Sequence, residues 1–203
     1  MASGVKSRSE GGKISVFNFV SVDGFFAGPN GEIDWFKTAA IDEEWNRYSH
    51  EQAALGSTTL IFGRSTYEMM KSYWPTEDAV KNDPQMAGVL NNSSKIVFSK
   101  TLKEVEETQI WKNVTLLHKI KPEQINELKK DSDMTILGSG SIIQQFTNLD
   151  LIDKYSLVVV PIILGVGKAL FKDVKRMNLK LQEIKAFKSG IVLLNYIHNG
   201  KKA

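Results

Sequence analysis

The chain has 203 residues, of which 42% are hydrophobic and 24% charged, with a formal net charge of +3; these proportions describe one well-buried globular domain. It contains no cysteine, which excludes disulfides, thiolate nucleophiles and cysteine-ligated zinc, and its three histidines, His50, His118 and His198, are spaced too widely to suggest a metal site. No apolar run nears the ~20 residues of a membrane span, nothing near the start reads as a signal peptide, and the surplus charge rests partly on Lys6, Arg8, Lys201 and Lys202. The expectation is a cytoplasmic protein with neither a membrane nor a nucleic-acid partner.

Residues 1–12, rich in Ser, Gly and charge, predict a disordered tail, with a single folded domain over 13–203. Residues 14–20 predict a buried strand, and residues 21–33, with Gly24, Gly28, Pro29 and Gly31, a long mobile loop of the kind that often carries function. Asp42-Glu43-Glu44 suits the first turn of a helix running to about residue 55, because acidic groups complement the positive dipole end. A strand over 58–62 and a helix over 65–73, stopped by Pro75, follow. Three more strands are predicted at 95–98, 115–118 and 134–137, with a helix over 122–130 that carries Pro122 in its first turn. A helix over 141–147 precedes residues 155–160, a nearly unbroken apolar run typical of a strand covered on both faces. After a turn at 161–167, strands near 178–187 and 191–198 are joined as a hairpin at Lys188-Ser189-Gly190. The alternation of strands and helices implies right-handed parallel crossovers, with the last hairpin antiparallel at one edge: a three-layer α/β sandwich on a mixed, mostly parallel sheet.

Three β-like runs end in small-residue turns that can start helices: Gly63-Arg64-Ser65-Thr66, Ser99-Lys100-Thr101 and Gly138-Ser139-Gly140-Ser141. At a helix start the unpaired N–H groups point outward and the dipole favours an anion, so three converging turns would grip a molecule with several phosphates, such as a dinucleotide. The last turn is not a G-x-G-x-x-G fingerprint, since Ile143 holds the third position, and it comes late in the chain, which disfavours the standard dinucleotide fold.

With its segments in this order, the chain resembles the dihydrofolate reductase-like superfamily, most closely the branch related to the reductase domain of riboflavin biosynthesis. The marks of the resemblance, over about residues 14–197, are Ser21-Val22-Asp23-Gly24-Phe25-Phe26-Ala27, Gly63-Arg64-x-Thr66-Tyr67-Glu68, Phe98-Ser99-Lys100, Gly138-Ser139-Gly140 and Pro161-Ile162-Ile163-Leu164-Gly165-x-Gly167-x-x-Leu170-Phe171. The resemblance implies a reductase, often a homodimer, that binds NADPH extended over the carboxyl ends of the strands. It places cofactor phosphate on Gly63, Arg64, Ser65 and Thr66, the adenosine 2′-phosphate on Ser99, Lys100 and Thr101, and the diphosphate on Gly138, Ser139, Gly140, Ser141 and Ile142. Two glycines in that last turn would keep Cβ atoms out of the diphosphate's path. Each turn also has a plainer reading, a helix start or strand end with an incidental cation.

The loop over 22–35 would then close on the nicotinamide, with Phe26, Ala27 and Ile33 near its ring, and exclude water. In dihydrofolate reductases proper a pterin-binding carboxylate lies five residues past the loop tryptophan; counting from Trp35 gives Ala40, so that acid is not in its place. Asp23 and Asp34 are the better candidates for a catalytic acid, the alternative for Asp23 being that it merely fixes its own turn. Trp35, Tyr48, Tyr67 and Trp74 can line a flat heterocycle site or belong to the core, and Pro161, Leu164 and Gly165 lie where the family shapes its substrate pocket. A zinc deaminase signature, which needs cysteine, is absent, so a fused deaminase is not expected in this chain. The expected activity is NADPH-dependent reduction of a small planar heterocyclic or carbonyl substrate, with a nucleotide- or flavin-binding module without turnover as the alternative.

Overall fold

A computed structural model describes residues 11–36, 42–54 and 58–198. Strands and helices follow in the order β1 (Ile14–Ser21), β2 (Phe25–Ala27), α1 (Glu43–Ala54), β3 (Thr58–Gly63), α2 (Arg64–Tyr73), α3 (Glu77–Asn82), α4 (Pro84–Asn92), β4 (Lys95–Phe98), β5 (Val114–Leu117), α5 (Pro122–Leu128), β6 (Asp133–Gly138), α6 (Gly140–Asn148), β7 (Lys154–Val160), β8 (Lys168–Ala169), β9 (Leu179–Ala186) and β10 (Val192–His198). Eight strands form one sheet in the order β5-β4-β3-β6-β1-β7-β10-β9. Its six strands from β5 to β7 run parallel, whereas β10 is antiparallel to both β7 and β9. This is the mixed, mostly parallel sheet with a C-terminal hairpin that the element order implies.

Alternate residues of each strand face opposite sides, and each side packs its own helices. Ile14, Val16, Ile61, Ile96, Met134 and Ile136 meet Ile125 of α5 and Ile142, Ile143 and Phe146 of α6. On the other side Leu60, Phe62 and Val97 meet Tyr67 of α2 and Leu90 of α4, while Val158, Val160 and Leu193 meet Trp45 of α1. The two helix groups on that side touch through His50 of α1, whose Nε2 lies 3.0 Å from Asp83 Oδ2 at the start of α4.

Three local features depart from the sequence expectations. Residues 76–94 carry two helices where none is predicted, although the signals are present: Thr76 accepts the Ala79 N–H, Asp83 accepts the Met86 N–H, and Pro84 occupies the first turn of α4. Gly12, expected in the tail, already donates its N–H to the Lys129 carbonyl at 2.8 Å. The 21–33 segment, expected as a mobile loop, is tied down by a second, two-stranded sheet in which β2 pairs with β8.

Lys95, at the start of β4, is only 1% exposed. Its ammonium donates to the carbonyls of Asn91 (3.0 Å), Ser93 (2.7 Å) and Lys112 (3.1 Å) and lies 4.4 Å from the Trp111 ring centre. It therefore ties the carboxyl end of α4, where carbonyls have no helical partner, to the strand that follows. Burial pulls this ammonium down to about 8, against the pull of Glu107 in the other direction.

Candidate active site

Because β5, β4, β3, β6, β1 and β7 are parallel and in register, their carboxyl ends share one rim of the sheet. The turns after Ser21, Gly63, Phe98, Leu117, Gly138 and Val160 therefore gather there. In doubly wound sheets this rim is where ligands bind. The three phosphate-type bends are not merely on the same side; they touch. Arg64 Nη1 donates to Thr101 Oγ1 at 3.0 Å, joining the first bend to the second. A Cβ added to Gly63 would lie 2.5 Å from Ser139 Oγ, and one added to Gly138 would lie 3.0 Å from Thr66 Oγ1, so the first and third bends are closely packed.

Both α2 and α6 begin there without a side-chain cap. Gly63 precedes α2 with extended backbone and no side chain to offer, and Ser139 precedes α6 with its hydroxyl turned to Ser141 Oγ at 2.9 Å instead. Thr76 and Asp83 cap α3 and α4, whereas α5 also starts without a side-chain cap. Two neighbouring helix starts with their first-turn N–H groups unspent by side chains form an anion cradle, which fits the diphosphate of a dinucleotide. Within it Ile142 is buried and its N–H already donates to the Ser139 carbonyl at 3.0 Å, so the donors that remain belong to Gly140 and Ser141. The Gly138–Ser139 peptide bond is cis.

The glycines of this cradle have a different purpose from the one expected. The space a Cβ would occupy at Gly140 is filled by the Phe26 ring, at Gly138 by Thr66, and at Gly63 by Ser139 and Ile142. They let the bends pack against one another and against the loop; they do not clear a path for the diphosphate. Gly138 also needs its lack of a side chain for its φ of 129°.

The second bend also differs from expectation, because no helix starts after β4. Ser99 is nearly buried, and its hydroxyl accepts the N–H groups of Thr101 (3.2 Å) and Leu102 (3.0 Å), so the bend consumes its own donors. What it presents outward are the exposed Lys100 and Thr101. Arg64 beside it is also held by Glu68 at 2.8 Å. His118, which follows β5, stands here as well: its Nδ1 contacts the Ser99 carbonyl at 2.8 Å. A carbonyl only accepts, so Nδ1 carries the proton and Nε2 is the ring's other hydrogen-bonding atom. Sequence reasoning weighed His118 only as a metal ligand; its place depends on the pairing of β4 with β5.

Across the rim, two loops form one ribbon. The Asp23 carboxylate accepts the Ser21 hydroxyl (2.6 Å) and, from the other loop, the N–H groups of Gly165 (2.8 Å) and Leu164 (3.2 Å). The Val22 N–H donates to the Ile162 carbonyl (2.9 Å) and the Leu170 N–H to that of Gly24 (3.0 Å). These donors, the Ser21 hydroxyl foremost, hold Asp23 below the usual carboxylate range. Asp23, expected as a catalytic acid, is thus engaged by three donors through which it braces the two loops.

The other sequence-predicted residues divide. Pro161, Leu164 and Gly165 lie on this rim, with Gly165 at a φ of 72°. Ala27 is buried in β2, and Phe26 covers the start of α6. Ile33 is half-buried, Asp34 is exposed in a single 3-10 turn, and Trp35 packs edge-on against Phe36 at 5.3 Å. Tyr67 is corrected to a core residue: it is 3% exposed, packed among Leu60, Leu90, Val97 and Trp111, because its position on α2 turns it onto the sheet. Trp74 joins the same cluster and Tyr48 packs on Trp45 and Phe187. Ala40, the position of the missing pterin acid, and the nearby Lys37 lie outside the described residues. Among the described residues, no group of acidic or histidine side chains is arranged to hold a metal ion, and no helix is long and apolar enough to cross a membrane.

The mostly parallel eight-stranded sheet with its antiparallel C-terminal strands has the dihydrofolate reductase-like fold. A family model of the RibD C-terminal domain matches residues 12–193, and the chain belongs to that family. It is 33% identical over 184 residues to the uncharacterized protein YyaP of Bacillus subtilis (strain 168), covering 89% of this chain and 92% of YyaP. Among solved structures it is similar to a candidate riboflavin biosynthesis protein from Shewanella sp. PV-4, with a TM-score of 0.70 and 23% identity over 92% of this chain and 99% of the other. It is also similar to the dihydrofolate reductase of Enterococcus faecalis complexed with NADP(H), with a TM-score of 0.57 and 14% identity over 92% of this chain and 96% of that one. At such identities the structural matches establish the fold.

Proposed function

We propose that this chain is an NADPH-dependent reductase of a small planar heterocyclic or carbonyl substrate, of which 5-amino-6-(5-phosphoribosylamino)uracil is one candidate. The observation that carries the reading is the contact between two uncapped helix starts at Gly63 and Ser139. The family, and the NADP(H) held by the related dihydrofolate reductase, support the same cofactor. The first turns of α2 and α6 hold the diphosphate, and Lys100, Thr101 and Arg64 hold the 2′-phosphate. Bound NADPH supplies a hydride. The ribbon of residues 22–33 and 161–170 covers the substrate side and excludes water. With Asp23 ionised and braced, the proton that completes reduction comes from solvent or from Asp34. The protein works in the cytoplasm as a homodimer; Leu181 and Ile184, 47% and 62% exposed on the edge strand β9, support a second copy covering that edge.

Thermal-shift titration with NADPH and NADH tests the cofactor. At a hundredfold excess over the dissociation constant NADPH stabilises the fold by about 2.7 kcal/mol, a rise of roughly 5–10 °C for a domain of this size. Arg64→Ala and Lys100→Ala bring NADPH down to the level of NADH. A wild-type protein that responds to neither cofactor overturns the proposal. The second reading, a binding module without turnover, is favoured by the bracing role of Asp23; it predicts the same shift with no loss of NADPH absorbance against pterins, aminopyrimidine ribosides and quinones.

A further inference from the structure

The start of α6 touches both strands of the ribbon that covers the substrate side. On β2, the Phe26 ring occupies the space beside Gly140. On the β8 side the link is Gln144, one turn further along α6. Its Nε2 donates to the carbonyls of Ala169 (3.2 Å) and Leu170 (3.0 Å). An amide nitrogen has two protons, so the two bonds use its whole donor capacity. Ala169 pairs with Phe25 across the small sheet, and the Leu170 N–H closes the ribbon by donating to the Gly24 carbonyl. The ribbon continues to Asp23, which holds the N–H groups of Leu164 and Gly165. A chain of hydrogen bonds therefore runs from the helix whose first turn forms the anion cradle to the loop that shapes the substrate pocket. The sequence assigns Gln144 no task, and its partners lie 25 and 26 residues away.

We propose that Gln144 is a positioning residue that couples the cofactor cradle to the substrate ribbon, so that a dinucleotide seated on α6 also orders residues 162–170. The inference rests on the NADPH reading above. A ligand that quiets the first turn of α6 suppresses the local openings of whatever that helix holds, and coupling of this kind needs no displaced backbone. Phe26 supplies contact area alone, whereas Gln144 supplies direction: its donors fix where the two carbonyls of the β8 turn lie relative to the helix.

Amide hydrogen exchange on the full chain, with and without NADPH, reads the coupling at Leu164, Gly165 and Leu170, whose N–H groups close the ribbon. In the wild type saturating NADPH slows these amides by about fivefold or more. In Gln144→Leu, which keeps helix propensity and bulk but has no donor, NADPH binds within about twofold of the wild-type affinity and the slowing is lost. Gln144→Glu keeps the length, also lacks a donor when ionised, and behaves as the leucine variant; it carries the test should Gln144→Leu not fold. Gln144→Lys, whose ammonium donates to both carbonyls, restores the slowing. Wild-type protein that binds NADPH with no change at these amides overturns the coupling, as does unchanged slowing in both donor-less variants. Absence of NADPH binding to the wild type is a separate result that overturns the cofactor reading and the coupling together.

Discussion

Replacing Gly63 by alanine sets two effects against each other, and the contact between the phosphate bends decides the sign. Gly63 has φ −83° and ψ 163°, a conformation open to any residue, so the backbone adds no strain. With nothing in the way, the change would stabilise by about 0.4–1 kcal/mol through the lower entropy of the unfolded chain. Here the new Cβ would lie 2.5 Å from Ser139 Oγ and 3.0 Å from Ile142 Cγ1, where ordinary contact begins at 3.4 Å. The neighbours must yield by about 0.9 Å at the hydroxyl and about 0.4 Å at the isoleucine. Ser139 is bonded to Ser141 and Ile142 is 6% exposed in the core, so neither moves freely. Overpacking of this kind costs about 1–3 kcal/mol, which leaves a net loss of up to about 2.6 kcal/mol. The midpoint of thermal unfolding should fall by up to roughly 10 °C. On the proposed cofactor reading, which puts the diphosphate donors on these bends, the NADPH dissociation constant should rise by about tenfold or more. Urea unfolding and a fluorescence titration measure the two. Gly63→Ala/Ser139→Ala removes the worse contact and should recover most of the stability. A Gly63→Ala protein that melts higher than wild type and binds NADPH equally well would refute the packing of the two helix starts and the cradle built on it.

Asp23→Asn replaces an acceptor-only carboxylate with an amide that has one acceptor oxygen, so its NH₂ must face either the Gly165 donor or the Leu164 donor, the ribbon should loosen and trypsin should cut after the exposed Lys168 at least about tenfold faster. The carboxylate's pKa is depressed in the fold, so its bracing is complete above the unfolded carboxylate value near pH 4 and is lost as pH falls through the lower folded value; the wild type should show this acid limb and the Asn variant should not. Lys95 has the opposite sign, because its folded pKa of about 8 lies below the ordinary 10.5. Between those values the unfolded chain binds more protons than the native one, so stability rises with pH. Relative to Lys95→Met, the wild type should gain about 2 kcal/mol between pH 7 and pH 9.5 in urea unfolding, and an unchanged difference would place the ammonium in a solvated environment.

The elements with strong local signals were legible in the chain. Ile96-Val97-Phe98 is an apolar run between polar residues and forms, with Lys95, the strand expected there, and the alternation of strands and helices implies the parallel sheet. The caps of α3 and α4, at Thr76 and Asp83, are equally local signals. By contrast β2 and β8, three and two residues long, have no period to read and exist because each supplies the other's hydrogen bonds. Individual functions were the hardest to read. Asp23 precedes a glycine in a turn, which suits either an acid or a brace, and the bracing contacts come from N–H groups 141 and 142 residues away. Tyr67 follows the phosphate bend in sequence, yet α2 turns it into the core.

Pattern and turn chemistry are properties of neighbouring residues, so by themselves they determined where most strands and helices lie, which turns can receive an anion and hence the resemblance to the family. Which groups remain available to a ligand depends on what fills the space around them. Only the packed chain could show that Phe26 occupies the place beside Gly140, that Ser99 consumes the donors of its own bend, and that Gln144 joins the cradle to the ribbon. Hydrogen bonds and excluded volume act over a few ångströms in space whatever the distance along the chain.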